Sequence, residues 1–209
     1  MLDFSNSKIL IVGDVMLDKY YFGKVNRISP GAPVPIVNIQ KEESRLGGAS
    51  NVANNIVSLG GHSLLCGVIG HDLFGKEIER ISRHKNIDTF LLKTSSPTIT
   101  KARIIGGKQQ IVRVDYEDKS ELNTDNKKLF RDTISRILPE YDILVISDYG
   151  KGLISEDLCR YLIKLAHKYD KKVIIDPKGK NWEKYSGADI VTPNVKELSD
   201  IVGYTVPNT

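Results

Sequence analysis

The 209-residue chain carries 40% hydrophobic and 27% charged side chains, a globular balance that excludes a disordered polypeptide and suits one sizeable domain better than two. Thirty Lys and Arg against 26 Asp and Glu leave a formal charge of +4. That mild surplus suits phosphorylated small molecules, and without a basic block or interleaved aromatics it gives no reason to expect a nucleic-acid partner.

In chain order, residues 9–12 form the first short β-branched run and predict a buried strand of a parallel sheet. Apolar residues resume at Val15, Met16 and Leu17 after Gly13 and Asp14. That is far too short to span a bilayer and lacks a small-residue cleavage pattern, so a cytosolic protein with no membrane partner is expected. Residues 34–40 are β-rich, Gly47-Gly48 opens an apolar helix to Leu59, and residues 98–105 and 109–116 flank Gly106-Gly107-Lys108 as a hairpin turn. Helical spacing follows for Phe130, Ile134, Ile137 and Leu138 after Thr124, and for Leu158, Leu162, Leu165, Ala166 and Tyr169 after Ser155 as N-cap. Residues 143–146, 173–175 and 190–191 repeat the buried-strand pattern, while Trp182 and Tyr185 predict the packing of a short helix without a functional role.

Strand and helix therefore alternate, which predicts an α/β fold with a doubly wound, mainly parallel sheet and ligands just past the carboxyl ends of its strands. Segments 19–45 and 98–117 do not fit the alternation and read as a small β-sheet lid, able also to pair with a second copy of the chain. Cys66 and Cys159 lie in apolar stretches and His62, His71, His84 and His167 are scattered, so neither a disulfide framework nor a metal site of these residues is expected.

The segments after the strands carry the chemistry. Gly47 and Gly48 allow close backbone approach to a ligand at a helix start, with Asn51 on the first turn. Asp14 and Asp18 follow the first strand, where carboxylates can hold sugar hydroxyls, although capping or turn formation explains either one singly. The three-glycine dinucleotide fingerprint is missing. Asp148 follows the strand at 143–146, Asp176 and Lys178 follow that at 173–175, and Asn194 and Glu197 follow that at 190–191. Each alone is compatible with a surface turn; together they converge on one sheet edge. Lys101 and Arg103, on one face of a lid strand by alternation, are candidates with Lys178 for a phosphate dianion.

These residues resemble the ribokinase-like (PfkB) carbohydrate kinases. The spacing of Gly47, Asn51, Ala53, Gly60 and Gly70 is similar to that family's first signature, and Asn194 with Glu197 to its Asn-x-x-Glu element. The stretches Gly13 to Asp18, Arg27-Ile28-Ser29-Pro30, Pro97 to Lys101, Ser147-Asp148-Tyr149 and Asp176 to Gly179 resemble the branch of the family that acts on a heptose 7-phosphate. The resemblance runs along essentially the whole chain. It implies phosphoryl transfer from ATP to the anomeric hydroxyl of that sugar phosphate, towards lipopolysaccharide core synthesis. It also implies that Asp18 and Asn51 hold sugar hydroxyls, that Gly47-Gly48 lets the lid close, that Asn194 and Glu197 place Mg2+ and nucleotide phosphates through water, and that the lid makes a homodimer.

One feature of the family is missing from these 209 residues. No segment resembles the Gly-Ala-Gly-Asp element that supplies the anion hole and the general-base Asp. The expectation is a kinase domain spanning residues 1–209 without its C-terminal nucleotide-binding part, turning over poorly or not at all alone.

Overall fold

A computed structural model describes residues 3–207. Six strands form one parallel sheet: β1 (Lys8–Gly13), β4 (His62–Gly70), β5 (Asp88–Thr94), β8 (Ile143–Ser147), β9 (Lys172–Asp176) and β10 (Ile190–Val191), in the order β10-β9-β8-β1-β4-β5. The β-branched runs at 9–12, 143–146 and 173–175 take inner positions because strands covered on both faces bury most of their residues, whereas the run at 190–191, expected to be buried, is the short edge strand, with Ile190 52% exposed. Leu10, Ile11 and Val12 are all fully buried. Leu10 and Val12 pack on one face with Phe130 and Ile134 of α3 (Thr124–Ile137) and Leu158 and Leu162 of α4 (Glu156–Lys168). Ile11 packs on the other with Ala49 and Ala53 of α1 (Ala49–Ser58) and Ile78 and Ile81 of α2 (Leu73–His84). Helices on both faces make the sheet doubly wound, as expected from the alternation.

A second sheet, in the order β3-β2-β6-β7, joins β2 (Val15–Ile28), β3 (Pro35–Gly48), β6 (Thr100–Gly106) and β7 (Gln109–Tyr116). The β2–β3 and β6–β7 pairs are antiparallel and β2–β6 is parallel. Gly107-Lys108 is the two-residue turn between β6 and β7, with Gly107 at a φ of 64°. β6 and β7 lie within 98–117, whereas β2 begins four residues before the expected segment 19–45 and β3 ends three residues after it, and both are far longer than the β-rich stretch visible at 34–40.

Three elements escaped the pattern reading: β4, β5 and α2. Gly67 weakens the β4 signal, yet it is needed there, because a Cβ would lie 2.4 Å from Val15 Cγ2 where β2 leaves the main sheet. The α2 signal was present in Phe74, Ile78 and Ile81 behind Asp72, whose side chain accepts from the Gly75 N–H as an N-cap. Asn123, not Thr124, caps α3; its side chain accepts from the Asn126 N–H at 2.8 Å.

Candidate functional site

The carboxyl ends of β1, β8, β9 and β10 point to one rim, and β2 carries the chain from that rim into the second sheet. Asp18 therefore lies on β2, facing its neighbours in the smaller sheet, rather than in a turn after β1. Arg45 stands opposite it on β3 and Lys101 on β6. The Arg103 Nη1–H donates to Asp18 Oδ1 at 2.5 Å. Gly47 makes room for this pair, since a Cβ there would sit 2.4 Å from Asp18 Oδ2. Gly48 turns the chain into α1 with a φ of 55°, and its own Cβ would meet the Asp14 carbonyl oxygen at 2.4 Å. The N-terminus of α1 has no side-chain cap. Asp18, Asn51 and Asn54 line one cavity of about 520 Å³ with Tyr20, Arg45 and Lys85.

Two of the expected sugar ligands are instead occupied within the protein. Asp14 is buried, and its Oδ2 accepts the N–H groups of Tyr149 at 2.8 Å and Lys151 at 3.1 Å. Burial pushes its carboxyl above the usual range, against the stabilising amides, because the ionised form loses water on one side. Asp148 is buried too: its Oδ1 accepts from the Gly150 N–H, and its Oδ2 from Lys184 Nζ at 2.5 Å and the Tyr185 hydroxyl at 2.7 Å. These bonds turn both acids into braces for the loop after β8, where Gly150 and Gly152 adopt positive φ.

Tyr185, expected only to pack, connects two loops. Its hydroxyl accepts from the Lys178 N–H at 2.9 Å while bonding Asp148. Nothing in the local sequence marks it, because its partners lie seven and 37 residues away.

Asp176 and Lys178 do not join Asp18 and Asn51 in one cavity. They line a second, of about 300 Å³, with Asp148, Tyr149, Asn194 and Glu197. Asn194 and Glu197 form a capping box at the start of α5 (Val195–Val202): each side chain accepts the other's backbone N–H. Lys178 Nζ donates to Glu197 Oε1 at 2.9 Å. Burial works against the Glu197 charge, but Lys178 and the Asn194 N–H hold its carboxyl below the ordinary value. Asp176 is raised by burial and by neighbouring Glu197. Asp176 and Glu197 thus feel one another's charge in one cavity, and carboxylate oxygens suit a hydrated divalent ion, although no group of three or more metal-ligating side chains occurs among the described residues.

Tyr149 lines the second cavity and lies within reach of the Asp18 charge. Burial raises its phenol, which also feels the charges of Asp176, Lys178 and Glu197. Lys101 lies over its ring, Nζ 5.8 Å from the centroid. Among the described residues Lys101 has no ion-pair partner, and burial lowers its pKa, with Lys151, Arg103 and Arg113 adding repulsion and only Asp18 opposing it.

Acids, amides and cations gathered in two cavities past the carboxyl ends of an open parallel sheet lie where such sheets bind their ligands. The pfkB family carbohydrate kinase model matches residues 6–208, and the chain belongs to that family. It is 47% identical over 193 residues to the "Bifunctional protein HldE" of Helicobacter pylori, covering 91% of this chain and 42% of that protein. It is 43% identical over 200 residues to the "D-beta-D-heptose 7-phosphate kinase" of Bordetella bronchiseptica, covering 95% of this chain and 63% of that one. The chain thus spans less than half the length of the bifunctional relative. Among solved structures, phosphofructokinase-2 from Escherichia coli in its tetrameric inhibited form superposes with a TM-score of 0.72 at 19% identity, over 97% of this chain and 66% of that one. A carbohydrate kinase from Agrobacterium tumefaciens gives 0.71 at 19%, over 94% and 64%. At such identities the likeness is one of fold.

Proposed function

We propose that this chain is the sugar-binding part of a kinase that transfers a phosphoryl group from ATP to the anomeric hydroxyl of D-glycero-D-manno-heptose 7-phosphate. The observation that carries the reading is the Asp18–Arg103 pair beside Asn51 and the unpaired Lys101, an acid for hydroxyls among cations for a phosphate. Asp18 and Asn51 orient the hydroxyls, with Gly47 and Gly48 keeping the backbone close. Lys101 and Arg103 neutralise the sugar phosphate. Positioning and charge neutralisation are most of what phosphoryl transfer asks of a protein.

Asn194, Glu197, Asp176 and Lys178 face the nucleotide in this reading, rather than Asp176 and Lys178 the sugar. Mg2+, held by Asp176 and Glu197 largely through water, would neutralise the β- and γ-phosphates of ATP. Lys178 adds a fixed positive charge at the same phosphates. Asp14 and Asp148 act at one remove, by fixing the loop that carries Tyr149. The second sheet serves as lid, and its exposed Val25, Ile28, Val112 and Val114 suit pairing with the same sheet of a second copy. No helix of the described residues is long and apolar enough to cross a membrane.

The test is incubation of the full natural chain with MgATP and heptose 7-phosphate, with product read by phosphorus NMR. The expected result is a new anomeric phosphate on a sugar that keeps its 7-phosphate. A clear preference for an unphosphorylated sugar in a substrate panel would overturn the heptose assignment. Sugar binding that is indifferent to nucleotide, without transfer, would mark a non-catalytic sugar-binding module instead.

A further inference from the structure

We propose that Arg45 is a specificity-determining residue for the resident phosphate of the sugar, reading it together with Arg103 from either side of Tyr20; this rests on the sugar-phosphate reading above. Neither composition nor motif singles Arg45 out. Its place in the sheet does. Residues directly opposite one another in paired strands share a face, so Arg45, opposite Asp18 on β3, joins the face that bears Asp18, Tyr20 and Arg103. The Arg45 guanidinium carbon lies 4.9 Å from the centre of the Tyr20 ring and that of Arg103 lies 5.2 Å from it. An arginine resting against an aromatic ring is held without consuming its N–H donors, so although Arg45 Nη2 donates to Glu43 and Arg103 Nη1 to Asp18, the remaining N–H groups of each guanidinium can grip phosphate oxygens.

The charges around this ring do not balance. Arg103 is matched by Asp18, but Arg45 shares Glu43 with Lys41, at 2.7 and 2.6 Å. Lys101, also opposite Asp18, has no ion-pair partner among the described residues, and neither does Lys85, which enters the same cavity from the end of α2. Arg113 and Asp115 of β7, opposite Arg103 and Lys101, extend this face as an ion pair of their own, so six cations meet three carboxylates. A phosphate monoester, carrying nearly two negative charges at neutral pH, is the ligand chemistry that compensates such a surplus. Lys178, whose charge is already taken by Glu197 in the other cavity, is not available for it. The sugar would then lie with its hydroxyls at Asp18 and Asn51 and its ester end along the Tyr20 face of β2 and β3.

The experiment is titration calorimetry with heptose 7-phosphate and with the same heptose lacking the phosphate, on the wild-type chain, Arg45→Met, Arg45→Lys and the exposed control Arg80→Met. The readout is the ratio of the two affinities, which a general loss of fold does not change selectively. Wild type and Arg80→Met should favour the phosphorylated sugar; Arg45→Met should lose about tenfold of that preference, and Arg45→Lys should recover part of it. Retention of the full preference by Arg45→Met overturns the inference. So does an equal weakening of both sugars, which would make Arg45 a wall of the cavity. Absence of any preference in the wild type would instead refute the sugar-phosphate reading on which it stands.

Discussion

Replacing Lys184 with Met isolates the brace beneath the rim. Lys184 Nζ and Asp148 Oδ2 are 2.5 Å apart, and their side chains are only 15% and 1% exposed. The pair is therefore screened little by solvent, unlike the surface pairs of this chain. Removing the lysine leaves a buried carboxylate without its counter-charge, for which the expected loss of unfolding free energy is about 3–5 kcal/mol. Tyr185→Phe takes away a donor to the same carboxylate and the acceptor of the Lys178 N–H. The smaller expected cost is about 1–3 kcal/mol, because one polar contact rather than a charge is left unmet. The two losses should not add, since both residues serve one oxygen and their contributions are coupled. Urea denaturation followed by circular dichroism at pH 7 measures all three variants. As a scale, Arg80→Met removes the solvent-exposed pair with Glu77 and should cost less than about 1 kcal/mol. A Lys184→Met variant no less stable than Arg80→Met would refute the assignment of Asp148 as a buried charge dependent on this lysine.

Two further outcomes follow from close packing and from burial. Gly47→Ala puts a methyl 2.4 Å from Asp18 Oδ2 and 2.9 Å from Met16 Cγ; the carboxylate must shift, disturbing its pairing with Arg103, and calorimetry should show heptose 7-phosphate binding weakened about tenfold, with stability lowered by about 1–3 kcal/mol. Asp14 has a raised folded pKa, so its contribution to stability is intact below the unfolded carboxyl value of about 3.9 and is eroded as pH climbs through the folded value. Asp14→Asn removes that erosion while keeping an oxygen for the Tyr149 and Lys151 amides; denaturation curves between pH 4 and 7 should show its stability gaining on wild type as pH rises, and a parallel pair of curves would contradict the burial argument.

The layer architecture was legible because buried parallel strands leave runs such as Ile9 to Val12 that need no partner to be seen. Ser155 marked the start of α4 as its cap, and Thr124 that of α3 to within a residue of the true cap, Asn123. What stayed hidden depends on crossings. Gly67 looks like a strand breaker until β2 is laid across it. Asp18 looked like a turn acid after β1 because Asp14 interrupts the apolar run, yet the chain continues straight into a 14-residue strand. The roles of Asp14 and Asp148 could not be separated from that of Asp18 by residue type: all three are acids past a strand end. Burial separates them, and burial is settled by loops far away in sequence, by Tyr149 and Lys151 for the first and by Lys184 and Tyr185 for the second.

The same partition organises the rim. Its acids fall into those consumed as braces and those left near open space, and the cations follow suit. Lys184 and Lys151 are spent on Asp148 and Glu117. Lys178 is held by Glu197. Lys101, without an ion-pair partner among the described residues, and Arg45, which shares Glu43 with Lys41, are the ones with charge to spare, and both lie on the smaller sheet. The smaller sheet is anchored to the core along one end, through β3, whose buried Leu46 packs with Ala49, Ala53 and Ile81 of α1 and α2. It is held there too where β2 and β6 emerge, with the Leu17 N–H bonded to the Ile99 carbonyl. The surplus charge is thus carried on a sheet held at its base, while the braced loop fixes Tyr149 beside the second cavity.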